Sequence, residues 1–182
     1  MLALAISLLL LCGCSGSRQL EENFNAWRTE FSEKSERQIT ALVTSTQDDA
    51  HNEFTLAYER NNGEETVTVL APELITQIKA HITANGVSLS YDGALLETGS
   101  TLTNGTSPLM ALPLFMDFLE KGYVESVWRE KSGSYELLVT ELELGDGSRM
   151  TIWQDEIDNT PLYAAIRDGE SVQLRIKLTE IS

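Results

Sequence analysis

From residue 123 to residue 181 the chain alternates apolar and polar residues in runs cut by short turn segments. Such a period of two puts successive side chains on opposite faces, which a helix cannot do, so "YVESVWRE", "SYELLVTELEL", "SRMTIWQ", "PLYAAIR" and "SVQLRIKLTEI" all predict strands. The last run is the clearest: Val172, Leu174, Ile176 and Leu178 face one way, and Arg175, Lys177 and Thr179 the other. Its neighbours are separated by "KSG", "GDG", "DEIDNT" and "DGE", all rich in residues that form tight turns. A sheet with one apolar face must have that face covered.

The first half supplies more strands and the cover. "ITALVTS" (39–45), "NEFTLAYER" (52–60), "ETVTVL" (65–70), "VSLSYDG" (87–93) and "ALLETG" (94–99) read as strands. "TQDDAHN" is a turn, and "NNG" (61–63) and the later "NG" and "DG" pairs are strong turn signals, because Asn, Asp and Gly tolerate positive φ. Three segments predict helices. In 19–37, Leu20, Phe24, Trp27 and Phe31 recur at spacings of four, three and four and share one face. In 71–82, Pro72 suits a first helical position, Glu73 the first turn and Lys79 and His81 the last, with Leu74, Ile75 and Ile78 as the apolar side. In 107–123, Ser107 and Pro108 start a helix, Pro113 interrupts or restarts it and Gly122 ends it; it is apolar nearly all round, so it must be buried or line something apolar. The fold class is therefore α+β: a curved antiparallel sheet forming an unclosed half-barrel covered by two or three helices. A closed barrel is the alternative, which periodicity does not separate from it.

The chain opens "MLALAISLLLLCGCSGS". The apolar run is too short to span a bilayer and suits the apolar region of a secretory signal peptide. "LCGC" resembles a bacterial lipoprotein processing site, although Cys12 stands where a small residue is commoner and the first basic residue is Arg18. That resemblance implies residues 1–13 as signal peptide, a diacylglyceryl group on Cys14, residues 14–18 as lipidated cysteine and tether, and residues 19–182 as the domain. No cysteine follows Cys14, so the domain has neither disulfide nor thiolate chemistry. With 28 acidic against 13 basic residues the net charge is −15, which argues against a nucleic-acid partner.

No enzyme is expected. His51 and His81 belong to no metal-spacing motif, and there is no G-x-S-x-G elbow, phosphate loop or dinucleotide fingerprint. "DEID" (155–158) lacks the spacing of a calcium loop, and Glu141 and Glu143 share a strand face expected to meet solvent. Neither a cofactor nor a metal is called for.

What remains is an apolar interior. Trp27, Phe31, Leu74, Ile78, Leu112, Phe115, Met116, Phe118 and Leu119 would line its helical side, and Tyr58, Tyr91, Trp128, Leu137, Met150, Ile152 and Trp153 are candidates from the sheet. Ile152 and Trp153 are consecutive and cannot both face inward in a regular strand. Met and aromatic side chains adapt to irregular shapes and could hold acyl chains; the same residues could equally interdigitate as a solid core.

The order of elements resembles the LolA/LolB-like superfamily of periplasmic carriers and lipid-binding lipoproteins. "ETVTVLAPELITQIKA" (65–80), "VSLSYDGALLETG" (87–99), "SPLMALPLFMDFLEKGYV" (107–124) and "PLYAAIRDGESVQLRIKLTEI" (161–181) are also similar to uncharacterised Gram-positive cell-surface lipoproteins of that type. The resemblance implies helical lids over an apolar cavity. It implies a lipoprotein on the extracytoplasmic face of the cell membrane, anchored to the lipid bilayer through acylated Cys14. Its partners would be a lipid or acyl-chain ligand or an envelope protein. The alternative is an interaction or structural module of the envelope with a filled core and no ligand.

Overall fold

The structure is a computed structural model, and it describes residues 15–47, 50–83, 86–99 and 107–182. Residues 1–13, expected from sequence to be a signal peptide, and Cys14 lie outside the described residues. Helix α1 (Ser15–Ser32) leads into β1 (Glu36–Gln47), β2 (Ala50–Asn61) and β3 (Glu64–Ala71). A 3₁₀ turn (Glu73–Ile75) precedes β4 (Lys79–Thr83), β5 (Gly86–Tyr91) and β6 (Ala94–Gly99). A second 3₁₀ turn (Pro108–Met110) runs into α2 (Ala111–Lys121). Five strands follow: β7 (Tyr123–Ser132), β8 (Tyr135–Glu143), β9 (Arg149–Asp155), β10 (Pro161–Asp168) and β11 (Ser171–Ile181).

All eleven strands form one sheet in the order β6-β5-β4-β3-β2-β1-β11-β10-β9-β8-β7, and every pairing is antiparallel. Two meanders are thus joined at a central seam, β1 against β11. The edges β6 and β7 do not pair, so the sheet is a half-barrel and not a closed one. Register shifts in several of the pairings bend it, as β-bulges do. The β2–β3 turn shows why "NNG" is so strong a signal. Asn62 and Gly63 have φ of 51° and 85°, the mirror-image turn whose twist matches a hairpin.

The helices fill the concave side. In α2, Leu112, Phe115, Met116, Phe118 and Leu119 are at most 1% exposed, and the helix packs towards β8 and β11. Pro113 sits in its first turn, where the missing N–H has no partner to lose. The aromatic stripe of α1 docks on β7 and α2. Trp27 and Phe31 have ring centroids 5.0 Å apart, and Phe31 meets Phe115 edge-on at 6.5 Å. Two arginines fasten the helix ends. Arg37 donates from Nη2 to the Phe31 carbonyl (2.5 Å) with its guanidinium 4.0 Å from the Phe31 ring centroid, placing a cation at the negative end of α1. Arg28 donates from Nη1 to the Gly122 carbonyl, 2.7 Å away, just beyond α2.

One predicted element is corrected. Residues 71–82 are not a helix: after the short 3₁₀ turn the chain doubles back as a hairpin. Val69 N–H donates to Ile78 O and Gln77 N–H to Val69 O, and Gln77 has φ of 70°, which no right-handed helix allows. Ile78, Ala80 and Ile82 alternate with Lys79, His81 and Thr83, so the strand period holds where Leu74, Ile75 and Ile78 had suggested the helical one. The other two helices differ from prediction in extent. The first runs Ser15–Ser32 where 19–37 was predicted, so it begins within the segment read as a tether, and the 107–123 segment begins as a 3₁₀ turn.

Candidate functional site

The concave face is built from cross-strand rows, because directly opposed residues share a face. One row runs Ile181–Ile39–Tyr58–Val67–Ala80–Leu89–Leu96, from β11 through β1–β5 to the edge strand β6. Tyr58, Val67 and Ala80 are fully buried, Leu89 is half-buried and Leu96 is 63% exposed. Beside that row, Val87 is buried and Ile82 half-buried against the core. The apolar floor therefore continues from the packed centre out along the β4–β6 wing, with Leu109 and Leu114 of the helical segment half-buried against the same core.

Of the residues named from sequence, Phe31, Tyr58, Leu112, Phe115, Met116, Phe118, Leu119, Met150 and Ile152 come together in one buried cluster, with Trp27 and Ile78 half-buried against it. Five do not join them. Leu74 is 90% exposed in the 3₁₀ turn, and Tyr91, 53% exposed, ends β5. Leu137 and Trp153 alternate with Leu138 and Ile152, which face the core, so they stand on the convex face. Trp128 pairs with Val139, and Val139 with Trp153, so it stands there too. Leu89, Leu96 and Ile82 were missed as a group; the alternation of "KAHIT", "GVSLSY" and "ALLETG" carries the signal once 71–82 is read as a hairpin.

A polar network seals one end of the interior. The Tyr58 hydroxyl donates to Glu65 Oε1 (2.9 Å) and accepts from Arg60 Nε (3.0 Å); Arg60 also reaches Glu65 (2.7 Å) and Glu120 of α2. Burial, then the neighbouring Glu65 carboxylate, pushes the Tyr58 phenol well above its usual range. Burial opposes the charge on Arg60, but hydrogen bonds to Glu120 and Glu65 outweigh it and raise the guanidinium further. These groups satisfy one another, so the network clamps α2 to β2 and β3.

Several ionisable groups elsewhere serve local structure. His81 lies between Thr66 and Ser90, and His51 contacts Thr46. In "DEID", Asp155 and Asp158 accept the backbone N–H of Ile157 and Thr160, and the latter bond holds Asp158 below the usual carboxylate range. Among the described residues no group of three or more His, Cys, Asp or Glu is placed to hold a metal ion, and no helix is long and apolar enough to cross a membrane.

No family model matches the chain, and no curated protein matches it. Solved structures do. A putative outer membrane lipoprotein-sorting protein domain from Vibrio parahaemolyticus superposes with a TM-score of 0.55 at 13% identity, over 90% of this chain and 92% of that one. LprF from Mycobacterium bovis gives 0.52 at 10% identity, over 91% and 95%. An uncharacterised conserved protein from Thermus thermophilus gives 0.52 at 12%, over 89% and 86%. At such identities the likeness is one of fold, and that fold is the LolA-like unclosed half-barrel.

Proposed function

We propose that this LolA-like chain is a lipoprotein of the extracytoplasmic face of the cell membrane, tethered by an acylated Cys14, which binds a lipid or other apolar ligand between sheet and helices. The observation that carries the ligand reading is the concave row that passes from fully buried at Tyr58, Val67 and Ala80 to 63% exposed at Leu96. An exposed apolar shelf continuous with a core is where an acyl chain gains contact without displacing packed side chains. The ligand end is then the β4–β6 wing. The tether reading rests on "LCGC" and the apolar run before it.

Native mass spectrometry on the full chain, purified gently from its membrane, tests the ligand. A co-purifying apolar adduct lost in Leu96→Glu, with the urea midpoint unchanged, supports the reading. Bare protein mass together with no uptake of a fluorescent fatty acid overturns it. Incorporation of labelled palmitate, abolished by Cys14→Ser, tests the anchor. A second reading, an interaction or structural module with a filled core, is favoured by the packing of Phe115, Met116, Phe118 and Leu119, none more than 1% exposed. Absence of any adduct selects it.

A further inference from the structure

The convex face of an antiparallel half-barrel normally meets water and is polar. Here it is not polar throughout. Across β7, β8, β9 and β10 runs a second cross-strand row, Trp128–Val139–Trp153–Tyr163, continued by Lys177 on β11 and Leu42 on β1. Val139 is fully buried and Leu137 and Ala165 are 6% exposed, although they stand outside the core cluster. The rings shelter them and stay partly bare: Trp128 is 38% and Tyr163 45% exposed. The Trp153 indole N–H donates to Glu130 Oε2 at 3.3 Å, which fixes the ring.

Next to that row lies a groove of about 300 Å³. Trp153 and Tyr163 wall one side, and Leu42 and Thr44 the other. Ala165 forms part of the floor, where a small side chain leaves a gap among long ones. The ionisable side chains lining it besides Tyr163 are Arg175 and Lys177, two residues apart on β11 and both exposed. Their cross-strand neighbours are Ala165 and Thr44 for Arg175, and Tyr163 and Leu42 for Lys177. All four are uncharged. Acids outnumber bases by 28 to 13 in this chain, yet among the described residues neither cation is within ion-pair distance of one.

We propose that this groove is a docking site for an acidic segment of a partner protein: an apolar side chain of the segment enters above Ala165 between Tyr163 and Leu42, and flanking carboxylates meet Arg175 and Lys177. Charge complementarity selects that occupant. A basic segment would face two unpaired cations, and a second copy docked through the same face would set its own Arg175 and Lys177 against this pair. The rings supply rigid contact area at little cost in side-chain entropy. This face lies across the sheet from the wing proposed to bind lipid, so the two sites are independent.

The test titrates the full chain with two short synthetic peptides. One alternates Asp or Glu with Leu or Phe; in the other every acid is replaced by Lys. Tryptophan emission is the readout, since Trp153 walls the groove. Saturable change is expected with the acidic peptide and none with the basic one. The double variant Arg175→Glu, Lys177→Glu should weaken it about tenfold or more, because like charges then face each other. Both positions are exposed, so an unchanged urea midpoint certifies the fold. Tyr163→Ala should also weaken it, and Leu96→Glu should leave it intact. No response to the acidic peptide, equal response to the basic one, equal binding by the double variant, or a response traced to self-association overturns the proposal.

Discussion

Phe118→Ala is the substitution that best tells a solid interior from a hollow one. Phe118 is completely buried in α2. Taking its ring away forfeits the transfer free energy of a buried Phe, about 1.5–3 kcal/mol. A cavity term follows: a void of roughly 100 Å³, if nothing relaxes, adds about 2.4 kcal/mol at the rate seen for core truncations. Partial collapse brings the expected loss to about 3–5 kcal/mol, a large share of the ~5–15 kcal/mol that holds a domain together. In urea, with a slope of roughly 2 kcal/mol per molar, the midpoint should fall by about 1.5–2.5 M at constant slope. Leu74→Ala is the matched control, because Leu74 is 90% exposed, and its stability should stay within about 0.5 kcal/mol of the parent. A loss below about 1 kcal/mol for Phe118→Ala would mean that the ring faces empty or ligand-filled space, and the packed centre described above would be wrong.

Three further outcomes are expected. In Gly122→Ala the new Cβ would lie 2.6 Å from the Phe118 carbonyl oxygen, which also accepts the Gly122 N–H, so the α2–β7 junction must shift; thermal melting should fall by the equivalent of about 1–3 kcal/mol. Gly63→Val places a β-branched residue at φ of 85° in the β2–β3 turn, and the melting point should drop by the equivalent of about 1–2 kcal/mol even though no atom obstructs the side chain. Tyr58 sets an alkaline limit. Its folded-state phenol titrates above the unfolded one, so the folded state holds the extra proton, and stability is full below about pH 10 and declines as pH rises further. The urea midpoint should show that decline, and Tyr58→Phe should flatten it; an unchanged slope would refute the assignment.

The sheet was legible because its period is unambiguous wherever one face is polar, as in "SVQLRIKLTEI". The two long helices were legible from spacing and caps. The misreadings share a physical cause. In 71–82, Leu74, Ile75 and Ile78 fit a helical stripe while Ile78, Ala80 and Ile82 fit a strand, and hydrogen bonds to β3 decided between them. Leu137, Leu138 and Val139 are apolar in succession, so hydropathy does not say which face of β8 is inside. Trp128 and Trp153 were drawn inward by their size, although Trp153 next to Ile152 already required one of the pair to face out. Where both faces of a strand are apolar, the choice is made by where the helices settle. The apolar wing was invisible for the opposite reason: Leu89 and Leu96 gain their meaning from being opposed across β5 and β6, a relation that needs the register.

The seam between β1 and β11 has a consequence for how such a chain is made. It joins residues 36–47 to residues 171–181 and is reinforced by the Gln38 and Ser182 backbones, which each donate to the other. The middle of the sheet thus depends on two strands far apart in sequence, and its halves cannot be zipped together until β11 has been synthesised. Pairings of such long range form slowly, since the loop must close before any contact rewards it. Until β11 arrives, β1 is a bare edge of the first meander, and the partner that covers it is the last strand of the second.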